Sequence, residues 1–147
     1  MKKIICFLLV VNVISVIETN VFALTDAEYN KLIGYLGKKV PNGFEMSDVN
    51  EYYRLENNNF MVYRLHTNDK GNVVISNIAY QTLSTDDHRN KRVSAIKKLQ
   101  SLGYTFIEKL EGVSIFESKK YRAGLGEEQI GTRNDRIDFI SVTIIEN

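Results

Sequence analysis

The chain has 147 residues, one cysteine, no tryptophan and two histidines, with 19 Lys and Arg against 18 Asp and Glu. So even a balance lacks the basic footprint of a general nucleic-acid binder, and a single cysteine cannot close an internal disulfide. Missing too are a Gly-x-Ser-x-Gly elbow, a His-Glu-x-x-His helix, a Gly-rich phosphate loop ending in Lys-Ser/Thr and a calcium loop, so the familiar catalytic templates are mostly excluded.

Residues 1–23 have the layout of a secretory signal peptide. Lys2 and Lys3 precede an apolar run from Ile4 to Ile17, and Glu18-Thr19-Asn20 leads into Val21-Phe22-Ala23, a pattern that signal peptidase reads. A spanning helix needs ~20 mostly apolar residues. Here the run is interrupted by Asn12 and Ser15 and stops at Glu18, so cleavage near Ala23 is expected, with no stable membrane insertion afterwards. Cys6 lies inside the run and cannot serve as a lipidation site after it. Removal takes Lys2, Lys3, Glu18 and Cys6, leaving 124 residues with 17 basic against 17 acidic side chains and no thiol. Residues 24–147 are therefore expected to form one domain held by its core alone. No Asn-x-Ser/Thr sequon occurs, and the Asn-, Lys- and Ile-rich usage fits a bacterial periplasmic or secreted protein.

In chain order, Leu24 to Gly37 reads as a helix. Thr25 and Glu28 make a capping box, Tyr29, Leu32, Ile33 and Leu36 form the apolar stripe, and Gly37 ends it before Pro41. Pro41-Asn42-Gly43 is a turn, Val49 to Glu56 a loosely alternating strand, and Asn57-Asn58-Asn59 another turn. Phe60 to His66 and Val73 to Thr82 form a hairpin around Asn68-Asp69-Lys70-Gly71, and the second strand, apolar on both faces, is expected to be central. Ser84-Thr85-Asp86-Asp87 then starts a helix from about His88 to Leu102, with Val93, Ile96, Leu99 and Leu102 inward. Strands follow at Tyr104–Leu110, Val113–Glu117 and Ile137–Ile145, and Lys119–Arg136 reads as a long polar loop.

The expected fold class is α+β: a two-layer sandwich, mostly antiparallel sheet with two helices on one face, in the order αβββ-αβββ. Both helices end in Leu-Gly, at Leu36-Gly37 and Leu102-Gly103, which raises an internal duplication without further identity to support it.

His66, at a strand end, reads as a surface residue, and His88 as a neutral first-turn residue beside the Asp86 and Asp87 caps. Arg92 is more unusual, because it shares the sector of Ile96 and Leu99. It either lays its stem over the sheet or clamps an anion, and the clamp requires Arg92→Ala to abolish binding without loss of stability. The long loop adds Tyr121, Arg122, Glu127, Glu128 and Arg133 as candidate binding residues. Adjacent carboxylates such as Glu127 and Glu128 tend to point apart, which argues against an acid/base pair.

The expected function is a small exported binding module with no cofactor, no metal and no nucleic acid. Its partner would be a protein, peptide or envelope component, held through the sheet face or the 119–136 loop. The alternatives are a secreted hydrolase pairing His66 or His88 with Glu127 or Asp87, and a structural envelope subunit. A hydrolase needs a histidine and a carboxylate converging in one cleft; a binder needs an exposed apolar patch.

Overall fold

The computed structural model describes residues 23–56 and 60–147. The leader up to residue 22 and the expected turn at Asn57-Asn58-Asn59 lie outside the described residues. Helix α1 spans Asp26–Tyr35, and its start is the capping box expected from the sequence. Thr25 Oγ1 accepts from the Glu28 amide at 3.3 Å while Glu28 Oε2 accepts from the Thr25 amide at 2.8 Å, satisfying two orphan donors. Helix α2 spans Thr85–Ser101; its N-cap is Ser84, whose hydroxyl accepts from the Asp87 amide at 3.1 Å. Among the described residues no helix is long and apolar enough to cross a membrane.

The strands are β1 (Glu45–Asp48), β2 (Glu51–Glu56), β3 (Met61–Thr67), β4 (Val73–Thr82), β5 (Thr105–Leu110), β6 (Val113–Glu117), β7 (Tyr121–Ile130) and β8 (Ile137–Glu146). They form one eight-stranded sheet in the order β1-β2-β3-β4-β8-β7-β6-β5, every pair antiparallel. The expected αβββ-αβββ order is corrected: among the described residues each helix is followed by four strands. The expected strand Val49–Glu56 is β2, which begins at Glu51; β1 before it was not expected, and Asn50, at φ +63°, turns the chain between the two.

The larger correction concerns 119–136, which is not a loop. Most of it is β7, paired with β6 on one side and along its full length with β8 on the other. Tyr121, Ala123 and Leu125 alternate with Arg122, Gly124 and Gly126, the period of a strand. The glycines that disguise it sit where packing is close. A Cβ on Gly124 would come within 3.2 Å of Val113, and one on Gly126 within 3.3 Å of the Ser141 hydroxyl.

Cross-strand register lines up Tyr63, Ile78, Val142 and Leu125 across β3, β4, β8 and β7, all fully buried. Flanking rows carry Met61, Tyr80 and Ile140, then Ser76, Ile144, Ala123 and Phe116. This is the core face. Each fully buried Leu, Ile, Val or Phe contributes about 1.5–3 kcal/mol relative to exposure. The Ser76 hydroxyl donates to the Leu32 carbonyl of α1 at 2.8 Å, and Leu32, Ala95 and Leu99 belong to the same cluster. The inward stripe of α2 differs from the expected one. Lys91, Ala95 and Leu99, four residues apart, are buried, and Val93 is exposed. Lys91 is tolerated there because its ammonium donates to the Gln81 carbonyl at 2.8 Å and to Asp87 Oδ2 at 2.9 Å.

Candidate functional site

Glu127 and Glu128 are neighbours on a strand, so they project from opposite faces of the sheet. Glu127 lies on the core face beside α2. Arg92 Nη1 donates to its Oε1 at 2.7 Å, and Arg92 Nη2 donates to the Ser114 hydroxyl at 3.3 Å. His88 Nε2 stands 3.5 Å from Glu127 Oε2. The other ring nitrogen, Nδ1, is 3.1 Å from the Thr82 hydroxyl, which donates to the Asp138 carbonyl at 3.1 Å. Thr82, His88, Glu127 and Asp138 border a polar cleft of about 390 Å³ whose walls include Ser84, Gln129 and Arg136, the last bound to Asp138 at 2.8 Å.

The sequence-level requirement of a hydrolase, a histidine and a carboxylate in one cleft, is met by His88 and Glu127. The rest of the constellation is poor for chemistry. Thr82 is buried and its one proton is committed to a carbonyl, so it offers no nucleophile. Glu127 is bound by Arg92, which fastens α2 to β7. Among the described residues no three His, Cys, Asp or Glu side chains converge on a metal position.

On the other face, Arg64 Nη1 donates to Glu128 Oε2 at 2.6 Å. Those residues sit on β3 and β7, with β4 and β8 between them. Three strand spacings of about 4.8 Å separate the two backbones, so the pair arches over the sheet. Beneath it runs a buried row of small residues, Ala79, Ser141 and Gly126, in register on β4, β8 and β7. Next to that row Asn77 Nδ2 donates to Thr143 Oγ1 at 2.8 Å.

The six candidate binding residues therefore do not form one site. Arg92 and Glu127 meet. Glu128 is on the opposite face. Tyr121 packs half-buried against the core at the far end of β7, and Arg122 beside it donates to Glu117 at 3.0 Å. Arg133 is exposed in the turn at 131–136. His66 is 3.4 Å from Glu51 at the strand end. Sequence reasoning passed over Arg64, Lys91 and Ser114. Lys91 had a local signal, Asp87 four residues earlier; Arg64 and Glu128, 64 residues apart, had none.

One further surface stands out. Among the described residues strand β5 is an edge, bonded only to β6, and all six of its residues are exposed. Phe106 and Ile107 are each 51% accessible and Leu110 58%. The register slips between Phe106 and Glu108, so Ile107 is a bulge residue. The opposite edge, β1, has only four residues. No protein-family model, curated protein or solved structure matches this chain.

Proposed function

We propose that the chain is a small exported binding module whose partner, a protein or peptide segment of the envelope or its surroundings, adds as an extended strand along β5. The observation that carries this reading is the exposure of all six residues of that edge, with Phe106, Ile107 and Leu110 among them. Native sheets blunt long apolar edges, because a row of free backbone donors and acceptors invites another chain. Strand addition uses that row for affinity and the flanking side chains for specificity. Phe106 packs edge-on to Phe116 at 5.6 Å on one face, and Leu110 stands opposite Val113 on the other.

The scaffold behind the edge is, in this reading, a two-layer α+β sandwich with both helices on the core face. The Ser76–Leu32 and Arg92–Ser114 bonds support it, since both serines belong to that face. Export rests on the composition of residues 1–23, and the neutral charge of the remainder favours a protein partner over nucleic acid. A second reading, a hydrolase that activates water with His88, is favoured by the 3.5 Å approach of Glu127.

The processed chain and its Ile107→Asp/Leu110→Asp variant, each used to capture partners from envelope extract, provide the test. These exposed changes leave stability within about 0.5 kcal/mol. The variant is expected to lose the captured partner, and undiminished capture overturns the proposal.

A further inference from the structure

The cut expected from the leader falls between Ala23 and Leu24, and the fold buries both residues, at 1% and 0% accessibility. The Leu24 nitrogen donates to Tyr80 Oη at 2.8 Å, and that hydroxyl donates to Glu28 Oε2, also at 2.8 Å. Glu28 Oε2 takes a further bond from the Thr25 amide at 2.8 Å. Burial first, and then the Glu28 carboxylate, push the Tyr80 hydroxyl far up from its ordinary range, so it stays protonated as the relay between the two. A carboxylate joined through one hydroxyl to a buried backbone nitrogen is an arrangement that suits a positive charge on that nitrogen.

A second observation concerns the backbone. Leu24 has φ +62°, the left-handed region that a leucine seldom occupies. That torsion exists only through the peptide bond to Ala23, so breaking the bond removes the constraint.

We propose that Leu24 is the mature N-terminus and that its α-ammonium docks in the core on Tyr80 Oη, paired through it with Glu28, so that processing completes the fold. The proposal rests on the export reading above. Hydrolysis by a signal peptidase adds one water across the Ala23–Leu24 bond. The carbonyl carbon gains the hydroxyl and leaves as a carboxylate, and the nitrogen, taking protons from water, becomes −NH3⁺. One amide donor is replaced by three donors and a charge. The two bonds between Ala23 and the Ser94 hydroxyl, both 3.2 Å, are lost, but Ser94 lines an open groove along α2 where water replaces them. The other charged groups around the site are Asp26, bound to Lys98 at 2.7 Å, with Arg89 and Lys97 on the groove's rim.

The experiment compares the exported, processed protein with the unexported full chain, whose Leu24 is still an amide, each with and without Glu28→Gln. Mass spectrometry is expected to start the processed protein at Leu24. Glu28→Gln should lower its Tm by about 5 °C, and that of the full chain by less than about 2 °C. An ordinary α-amine titrates near pH ~8. The docking requires pairing to outweigh desolvation and hold the ammonium's titration above that, so its contribution is complete below pH ~8 and lost as pH rises beyond it, in the processed form alone. Reductive methylation should label the exposed lysines and spare the Leu24 amine. Equal losses from Glu28→Gln in the two forms, or a freely methylated Leu24, overturn the docking while leaving export intact. A processed chain starting elsewhere overturns the cleavage site and the docking together.

Discussion

Arg92 makes two bonds, one to the carboxylate of Glu127 and one to the hydroxyl of Ser114, and together they tie α2 to β6 and β7. Its side chain is 25% accessible and that of Glu127 50%, so water screens the pair and it belongs near the weak end of ion-pair energies. The hydroxyl bond adds a comparable amount. Arg92→Ala is therefore expected to lower the unfolding free energy by about 1 kcal/mol in urea titrations, with capture along β5 unchanged. This reverses the pattern that an anion clamp would require; lost capture at full stability would restore the clamp. The hydrolase reading is exposed to the same preparations: it requires His88→Gln to remain folded and lose turnover. Glu127 was visible in the sequence as one of a carboxylate pair, but not what it holds, because its partners come from a helix 35 residues away.

At the scale of the element, local signals were legible wherever one stretch of chain completes the device. The Thr25–Glu28 box lies within a single turn, and the β3–β4 hairpin closes around Asn68 and Gly71, with Gly71 at φ +73°. Strand β7 was not legible, because the reason for Gly124 and Gly126 lies on β6 and β8, and a Gly-rich charged stretch mimics a loop. The buried face of α2 was misplaced for a related reason: the inward Lys91 depends in part on the Gln81 carbonyl that β4 supplies. The turn that lets β7 pair with β8 shows how tightly the element is specified. Gly131 has φ +103°, and a Cβ there would collide with the Asp135 carbonyl oxygen. At Gly103, with φ +86°, a Cβ meets nothing within 4 Å. Gly103→Ala should cost about 1 kcal/mol, the backbone term alone. Gly131→Ala should cost more than about 3 kcal/mol, because the collision is with backbone. Thermal melts of the two variants decide it, and equal losses would show that the 131–136 turn yields freely.

Across the described residues, a helix and a four-strand meander occur twice, and the last strand of each, β4 and β8, pair side by side in the middle of the sheet. The first strands, β1 and β5, fall at the two edges. The shared Leu-Gly helix ends are the trace of this arrangement in the sequence; the pairing of Ile75–Thr82 with Asp138–Ile145 leaves none, since it joins the middle of the chain to its C-terminal end. That central seam makes one core of two halves, so a charge forced into either half should unfold both. Buried tyrosines supply the means. Tyr63 and Tyr80 lie in the first half and Tyr104 in the second, where its hydroxyl is 3.0 Å from that of Tyr29. Burial is the leading cause that holds all three above the ordinary tyrosine range, with nearby Glu28 next for Tyr63 and Tyr80 and the Tyr29 hydroxyl next for Tyr104. An unfolded tyrosine ionises near pH ~10. A group whose folded pKa lies above that value contributes stability that is intact below pH ~10 and lost as pH rises beyond it. The processed and full chains should therefore both lose Tm steeply above pH ~10. The tyrosinate absorbance of the buried rings should appear together with the loss of far-ultraviolet circular dichroism. Tyr104→Phe removes one of the three ionisations and should make the fall shallower. If instead these rings titrate smoothly while the fold persists, or the second half melts alone, the single cooperative core is wrong.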